Sequence, residues 1–191
     1  MHTERQNEII DCSIEIIDKK GIQGLTIKNI SKEIGISEPA IYRHFKSKTD
    51  IILAILENFK IMADFLSDTM DNFEGEAVEK ISFMFSKMLE MFSNQPSIVS
   101  VIFSEEIFKN EEILKEKIVE IMDVKEKTIE DIILDGQNKG EVRTDIDNKT
   151  LALIVIGALR FRIKQWDLRN QHQDLLQEGQ SLIKALKIIL E

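Results

Sequence analysis

Residues 26–48 read Thr26-Ile27-Lys28-Asn29-Ile30-Ser31-Lys32-Glu33-Ile34-Gly35-Ile36-Ser37-Glu38-Pro39-Ala40-Ile41-Tyr42-Arg43-His44-Phe45-Lys46-Ser47-Lys48, two short helical segments hinged on a glycine. Thr26 is placed to cap a helix carrying Ile27, Ile30 and Ile34, which Gly35 stops. Ser37 is placed to cap a second, carrying Ile41 and Phe45. Two helices of about eight residues joined by Gly35-Ile36-Ser37 make a helix-turn-helix candidate. In the second helix, Ile41 and Phe45 point one way, toward Ile30, Ile34 and Ile36. Pro39, Tyr42, Arg43 and Lys46 form the opposite stripe, free to face a groove. Pro39 lies in the first turn, where its missing N–H costs nothing.

A helix-turn-helix reads bases with the N-terminal end of its second helix, which assigns that role to Glu38, Pro39, Ala40 and Arg43. The Ala40 methyl suits a thymine methyl, Glu38 can accept from cytosine N4, and Arg43 matches guanine O6 and N7. Tyr42, His44, Lys46, Lys48 and Thr26 read as phosphate-positioning groups. Helix starts at Thr26, Ser37 and Ser47 also present backbone N–H groups to anions. Two amphipathic helices that merely pack together, without nucleic acid, are the competing reading.

Outward from this stretch the periodicity stays helical and no long run alternates with period two, so the fold class is all-α. Thr3-Glu4-Arg5-Gln6 is a capping-box start to a first helix with a buried stripe of Ile10, Ile14 and Ile17, ended by Gly21 and Gly24. Ser47-Lys48-Thr49-Asp50 is a second capping box, opening a longer helix through Ile51, Ile55, Phe59 and Met62. Further helices are predicted over 76–93, 97–108, 111–138, 147–167 and 173–190.

The chain has 191 residues and a formal net charge of −9, which taken alone argues against a polyanion partner. The charge is segregated. Residues 1–50 hold 8 basic and 8 acidic residues, whereas 51–191 hold 17 and 26. Within 26–48, five basic residues face two acidic ones. Cys12 is the only cysteine, so no internal disulfide forms. No run approaches the roughly 18 apolar residues of a membrane span, and Met1 to Arg5 lacks a secretory layout; the expectation is a cytoplasmic protein without membrane contact. The histidines, His2, His44 and His172, show no metal spacing, and no catalytic constellation or phosphate loop appears. Neither an enzyme nor a cofactor is expected.

The Thr26–Lys48 segment, and above all its Ile-Tyr-Arg-His-Phe-Lys-Ser-Lys run, resembles the DNA-binding segment of the TetR family of bacterial repressors. The resemblance implies an all-helical homodimer of about nine helices per chain. Residues 1–47 would form a three-helix DNA-binding domain and 48–191 an effector-binding and dimerisation domain. In the family, residues matching Thr26, Ser37, Ala40, Tyr42, His44 and Lys48 commonly touch DNA. Many members carry a basic arm before the first helix; here Thr3 to Glu8 holds one Arg and two Glu, which argues against a minor-groove arm. The function implied is a repressor on a near-palindromic double-stranded operator, released by a small, largely apolar or aromatic effector. Two alternatives stay open: a DNA-binding dimer acting through a protein partner with no small-molecule effector, and a helical small-molecule binder that does not touch DNA.

Eight of ten phenylalanines and five of seven methionines lie between residues 59 and 108. Such a stretch is either plain core or the lining of an adaptable pocket. The family's cavity among these helices favours Phe65, Met84, Met88, Phe103 and Phe108 as lining candidates. Glu105 or Glu106 pointing inward would select a cationic effector; both pointing outward would favour a neutral, lipid-like or aromatic one. The charges from Glu111 to Glu130 alternate with lysines and read as exposed surface. The helices over 147–167 and 173–190 are expected to form the homodimer interface, with Gly157 and Ala158 allowing close approach, and Trp166 is read as a packing anchor.

Overall fold

The computed structural model describes residues 2–71, 73–109, 111–171 and 174–191; His172 and the predicted helix start at residue 173 lie outside them. Among the described residues the chain is helical without strands: α1 Glu4–Gly24, α2 Ile27–Ile34, α3 Glu38–Tyr42, α4 Lys48–Asp71, α5 Ala77–Asn94, α6 Ser97–Ile102, α7 Glu105–Lys109, α8 Glu112–Lys139, α9 Asn148–Leu168 and α10 Leu175–Leu190. The helix expected over 97–108 is two helices, α6 and α7. Ser104 N–H bonds back to Val101 O at 3.2 Å, closing a turn that the apolar spacing does not register.

The chain divides into two compact units, Met1–Ile61 with Ser97–Glu120, and Met62–Pro96 with Ile121–Glu191. The boundary expected at 47/48 falls inside the first. That unit is built on α1, whose Thr3 makes the predicted capping box: Thr3 Oγ1 accepts from the Gln6 N–H at 3.3 Å, and Gln6 Oε1 accepts from the Thr3 N–H at 2.9 Å. Gly21, at φ 67°, interrupts the helix before Gly24. The buried face of α1 is Ile9, Ile10, Ser13, Ile16 and Ile17; Ile14 is only half-buried. The Ser13 hydroxyl is satisfied by Ile9 O at 2.7 Å. Thr26 Oγ1 caps α2 by accepting from the Asn29 N–H at 3.1 Å. Gly35, at φ 79°, adopts the left-handed conformation that a side chain resists, and the N–H groups of Gly35 and Ile36 both bond to Ser31 O. Ile30, Ile41, Ile51 and Ile55, all fully buried, join this core. On α4 the buried stripe runs Ile51, Ile55, Phe59, Ala63, passing by Met62, which is 38 % exposed.

The second unit is held by α5, α9 and α10. Phe85, Leu89 and Phe92 of α5 are buried, as are Leu186 and Leu190 of α10. The two helices meet so closely at Gly179 that a Cβ there would lie 2.2 Å from Leu89 Cδ1. α9 buries Leu151, Val155, Leu159, Ile163 and Trp166, and Arg162 ties it to α10 through a 2.8 Å ion pair with Glu178.

Candidate nucleic-acid interface and effector region

The helix-turn-helix separates an apolar from a polar face. Ile41 is fully buried and Phe45 is buried, fixing α3 against the core. Thr26, Ser37, Glu38, Pro39, Tyr42, Arg43, Lys46 and Lys48 are all exposed, while Ala40 and His44 are half-buried. Tyr42, with half its surface open to solvent, is the one large apolar body on this face.

The recognition helix is shorter than its sequence predicts. α3 ends at Tyr42, so Arg43 and His44 lie in the following turn and Lys46 in a bend before α4. Bonding of the helical kind persists to Phe45, whose N–H donates to Ile41 O at 3.0 Å, so Arg43 keeps a right-handed conformation. The next helix forces the stop: Ser47 Oγ accepts from the Asp50 N–H at 3.1 Å, and Asp50 Oδ2 accepts from the Lys46 N–H at 3.0 Å. The expected capping box is thus displaced by one residue, its return bond going to Lys46 rather than Ser47. Of the three helix starts expected to hold anions, those at Thr26 and Ser47 already have an amide capped by a hydroxyl. Ser37 makes no side-chain cap bond, which leaves its hydroxyl available. Sequence reasoning missed one contact: the His2 ring lies 6.4 Å from the Phe45 ring, centroid to centroid, at a tilt of 53°.

Another face of the same unit is acidic. Glu4, Glu8, Asp11, Glu15 and Glu33 line an open groove of about 540 Å³ around Cys12. Burial, then the carboxylates of Glu33, Glu15 and Glu8, push the Cys12 thiol up to about 11, and burial with Glu15 raises Asp11 above the usual carboxylate range.

The five lining candidates fall in both units. Met84 is buried and Met88 half-buried on α5; Phe103 and Phe108 are half-buried in the segment around α6 and α7. Phe65 stands outside, 73 % exposed, and is not a core side chain. Two residues past the inward-facing Ala63, it has turned about 200° around α4. Glu105 and Glu106 are both exposed, and Glu106 accepts from Gln23 Nε2 at 3.0 Å.

The alternating charges of α8 are not uniformly surface. Lys117 is four-fifths covered and pairs with Glu57 at 2.6 Å and Glu120 at 3.1 Å. Lys125 sits half-buried near Asp64, and desolvation pushes its ammonium down to about 8, against the opposite pull of Asp64. Nothing in the charge pattern distinguishes it from its neighbours. Trp166 is buried, in keeping with a packing anchor. Among the described residues no helix is long and apolar enough to cross a membrane, and no group of three His, Cys, Asp or Glu is arranged to hold a metal.

A short second helix, anchored by two buried side chains and showing a polar, partly basic face, defines the head of a helix-turn-helix DNA-reading protein. Family comparison agrees with that class: residues 9–55 match the model of bacterial regulatory proteins of the tetR family, and 57–188 match the YsiA-like protein C-terminal region. The chain belongs to the TetR family of bacterial transcriptional regulators. It is 23% identical over 181 residues to the fatty acid metabolism regulator protein of Bacillus subtilis, spanning 94% of this chain and 92% of that one. It is 24% identical over 189 residues to the nucleoid occlusion factor SlmA of Glaesserella parasuis, spanning 96% and 92%. Among solved structures, the transcriptional regulator FadR from Bacillus subtilis in complex with stearoyl-CoA superposes with a TM-score of 0.82 at 22% identity, covering 97% of this chain and 99% of that one. At that identity the likeness is one of fold.

Proposed function

We propose that this regulator is a homodimeric repressor released from its operator by a long-chain acyl-CoA. The observation that carries the DNA half is the exposed polar face of α3 and its flanks. Glu38, Pro39, Ala40 and Arg43 are placed to meet base edges; Thr26, Ser37, Tyr42, His44, Lys46 and Lys48 are placed to hold phosphates. Two such heads in a dimer would enter successive major grooves, about 34–36 Å apart.

The effector half is supported by chemistry. Met84 and Met88 are apolar, adaptable side chains on α5, and Glu105 and Glu106 are both exposed on α7, so neither is an inward carboxylate that would select a cation. The relative solved with stearoyl-CoA supplies the ligand class. Dimerisation is supported by an apolar stripe on α9 that the described residues leave open. Leu153 (64 %), Ile154, Phe161 (69 %) and Leu168 are exposed, and nothing lies within 4 Å of a Cβ built at Gly157. On α10, Leu176, Ile188 and Ile189 are exposed as well. A stripe of this length on a soluble helix calls for a second copy. Phe161→Glu should therefore turn the dimer into a monomer in light scattering.

The decisive test begins by selecting an operator from randomised duplexes with the purified protein. Stearoyl-CoA is then titrated into the complex, with CoA and stearate as controls. Release by stearoyl-CoA alone supports the reading; an operator affinity unchanged by it refutes the effector. A second reading, a DNA-bound dimer acting through a protein partner, is favoured by the exposed Phe65 on α4. It predicts that acyl-CoA leaves the operator complex unchanged, and that Phe65→Ser leaves operator affinity intact while abolishing repression in cells.

A further inference from the structure

Segment 97–109 belongs to the same compact unit as the DNA-reading helices, and polar ties join the two. α6 packs along α1, burying Ile98, Val99, Val101 and Ile102. At the rim of that interface the Asp18 carboxylate receives two hydroxyls. Ser100 Oγ donates to Asp18 Oδ1 at 2.7 Å and Ser97 Oγ to Asp18 Oδ2 at 3.3 Å. Ser97 and Ser100 stand three apart on one helical face, so one carboxylate grips the whole first turn of α6. Five residues beyond Asp18, Gln23 Nε2 donates to Glu106 Oε1 of α7 at 3.0 Å. The C-terminal half of α1 is therefore fastened twice to 97–109. It then leads directly through Gly24 and Leu25 into the cap of α2, where Asn29 Nδ2 donates to Gly24 O at 2.8 Å.

We infer that Asp18 is a coupling residue: its grip on Ser97 and Ser100 transmits the position of α6 to α1, and thereby sets the pose of the DNA-reading helices. A displacement of 97–109 must either carry α1 with it or break these bonds. All three ties are water-accessible, so water can replace either partner without leaving a buried polar atom orphaned. Such a joint suits a switch. The apolar part of the α1–α6 packing holds the segments together, while the directional part fixes one register between them.

The effector arm of the test rests on the acyl-CoA reading; the operator arm does not. For the full-length wild type, Asp18→Ala, Asp18→Asn and the Ser97→Ala/Ser100→Ala pair, operator Kd is measured with and without saturating stearoyl-CoA. The ratio of the two values is the coupling factor. Asp18→Ala is expected to lower that factor about fivefold while effector-free Kd stays within about threefold of wild type. Asp18→Asn keeps a carbonyl oxygen for Ser100 and should fall between; the double serine variant should match Asp18→Ala. A full coupling factor in Asp18→Ala overturns the inference. So does a collapse of operator affinity accompanied by a lowered Tm, which would make Asp18 a folding residue. Should stearoyl-CoA leave the wild type on DNA, the effector reading fails and hydrogen exchange decides this one. Operator should slow amide exchange across 97–109 in the wild type and not in Asp18→Ala; equal behaviour of the two overturns the coupling role.

Discussion

Lys125 should make the stability of this protein rise with alkaline pH, and Lys125→Met should abolish the rise. Desolvation lowers its ammonium from 10.5 to about 8 in the folded chain. The unfolded chain keeps the proton up to its ordinary value. Between about pH 8 and 10.5 the unfolded state therefore binds more protons, and stability increases with pH across that window. Below about 8 both states are protonated and the full penalty of burying the charge is present. Two and a half pKa units correspond to about 3 kcal/mol, most of it recovered by pH 10. Other groups also titrate there, so the quantity that isolates Lys125 is the difference between wild type and Lys125→Met, followed from pH 7 to 10.5. Methionine keeps the length of the side chain without its charge. Leaving Asp64 without this lysine adds a constant offset, because carboxylates do not titrate in this range. Urea unfolding at fixed protein concentration gives the two curves. Parallel curves would refute the reasoning, as would a wild type that loses stability relative to the variant as pH rises.

Arg43→Ala should weaken operator binding by about 1–3 kcal/mol per half-site and relax preference at one base position, read by competition with single-base operator variants. Lys46→Ala should weaken binding evenly across sequences and flatten the salt dependence by about 0.9 in log–log slope for each phosphate left without its cation. Gly179→Ala drives a methyl into the buried Leu89 side chain and should cost about 1–3 kcal/mol in urea unfolding. An unchanged midpoint would show that Leu89 yields freely.

The short-range chemistry of the head was legible in its letters. Thr3 with Gln6, Thr26 with Asn29, and Gly35 at a positive φ are decided within four residues, and Ile41 with Phe45 is one turn of helix. Where α3 stops was not legible, because two local preferences compete: the apolar period runs to Phe45, while Ser47 and Asp50 claim the amides needed to start α4. The body resisted for a different reason. Phe65 and Met84 look alike as letters, and only the neighbours brought by other helices bury one and expose the other. Lys125 sits in a run of alternating charges that reads as surface; the carboxylate its ammonium feels, Asp64, lies sixty-one positions earlier in the chain. The membership of 97–120 in the head unit is likewise a product of long-range packing, carried by α1 against α6.

The charge distribution turns this arrangement into a constraint on how DNA is met. The first fifty residues are neutral in sum, yet the carboxylates of the α1 groove and the cations after α3 lie on different elements. Glu4, Glu8, Asp11, Glu15 and Glu33 gather along α1 and the end of α2, while Arg43, Lys46 and Lys48 stand in and beyond the turn after α3. These fifty residues, with no net charge, gain little from long-range attraction, but the cations after α3 orient them as phosphate approaches within a Debye length. The remaining 141 residues carry the whole deficit of −9, so the body as a whole repels phosphate. Few cations then suffice for orientation, and each matters more than on a basic protein. This is why losing Lys46 alone is expected to register in the salt slope, and why an acidic chain can be selective for a site while remaining indifferent to bulk DNA.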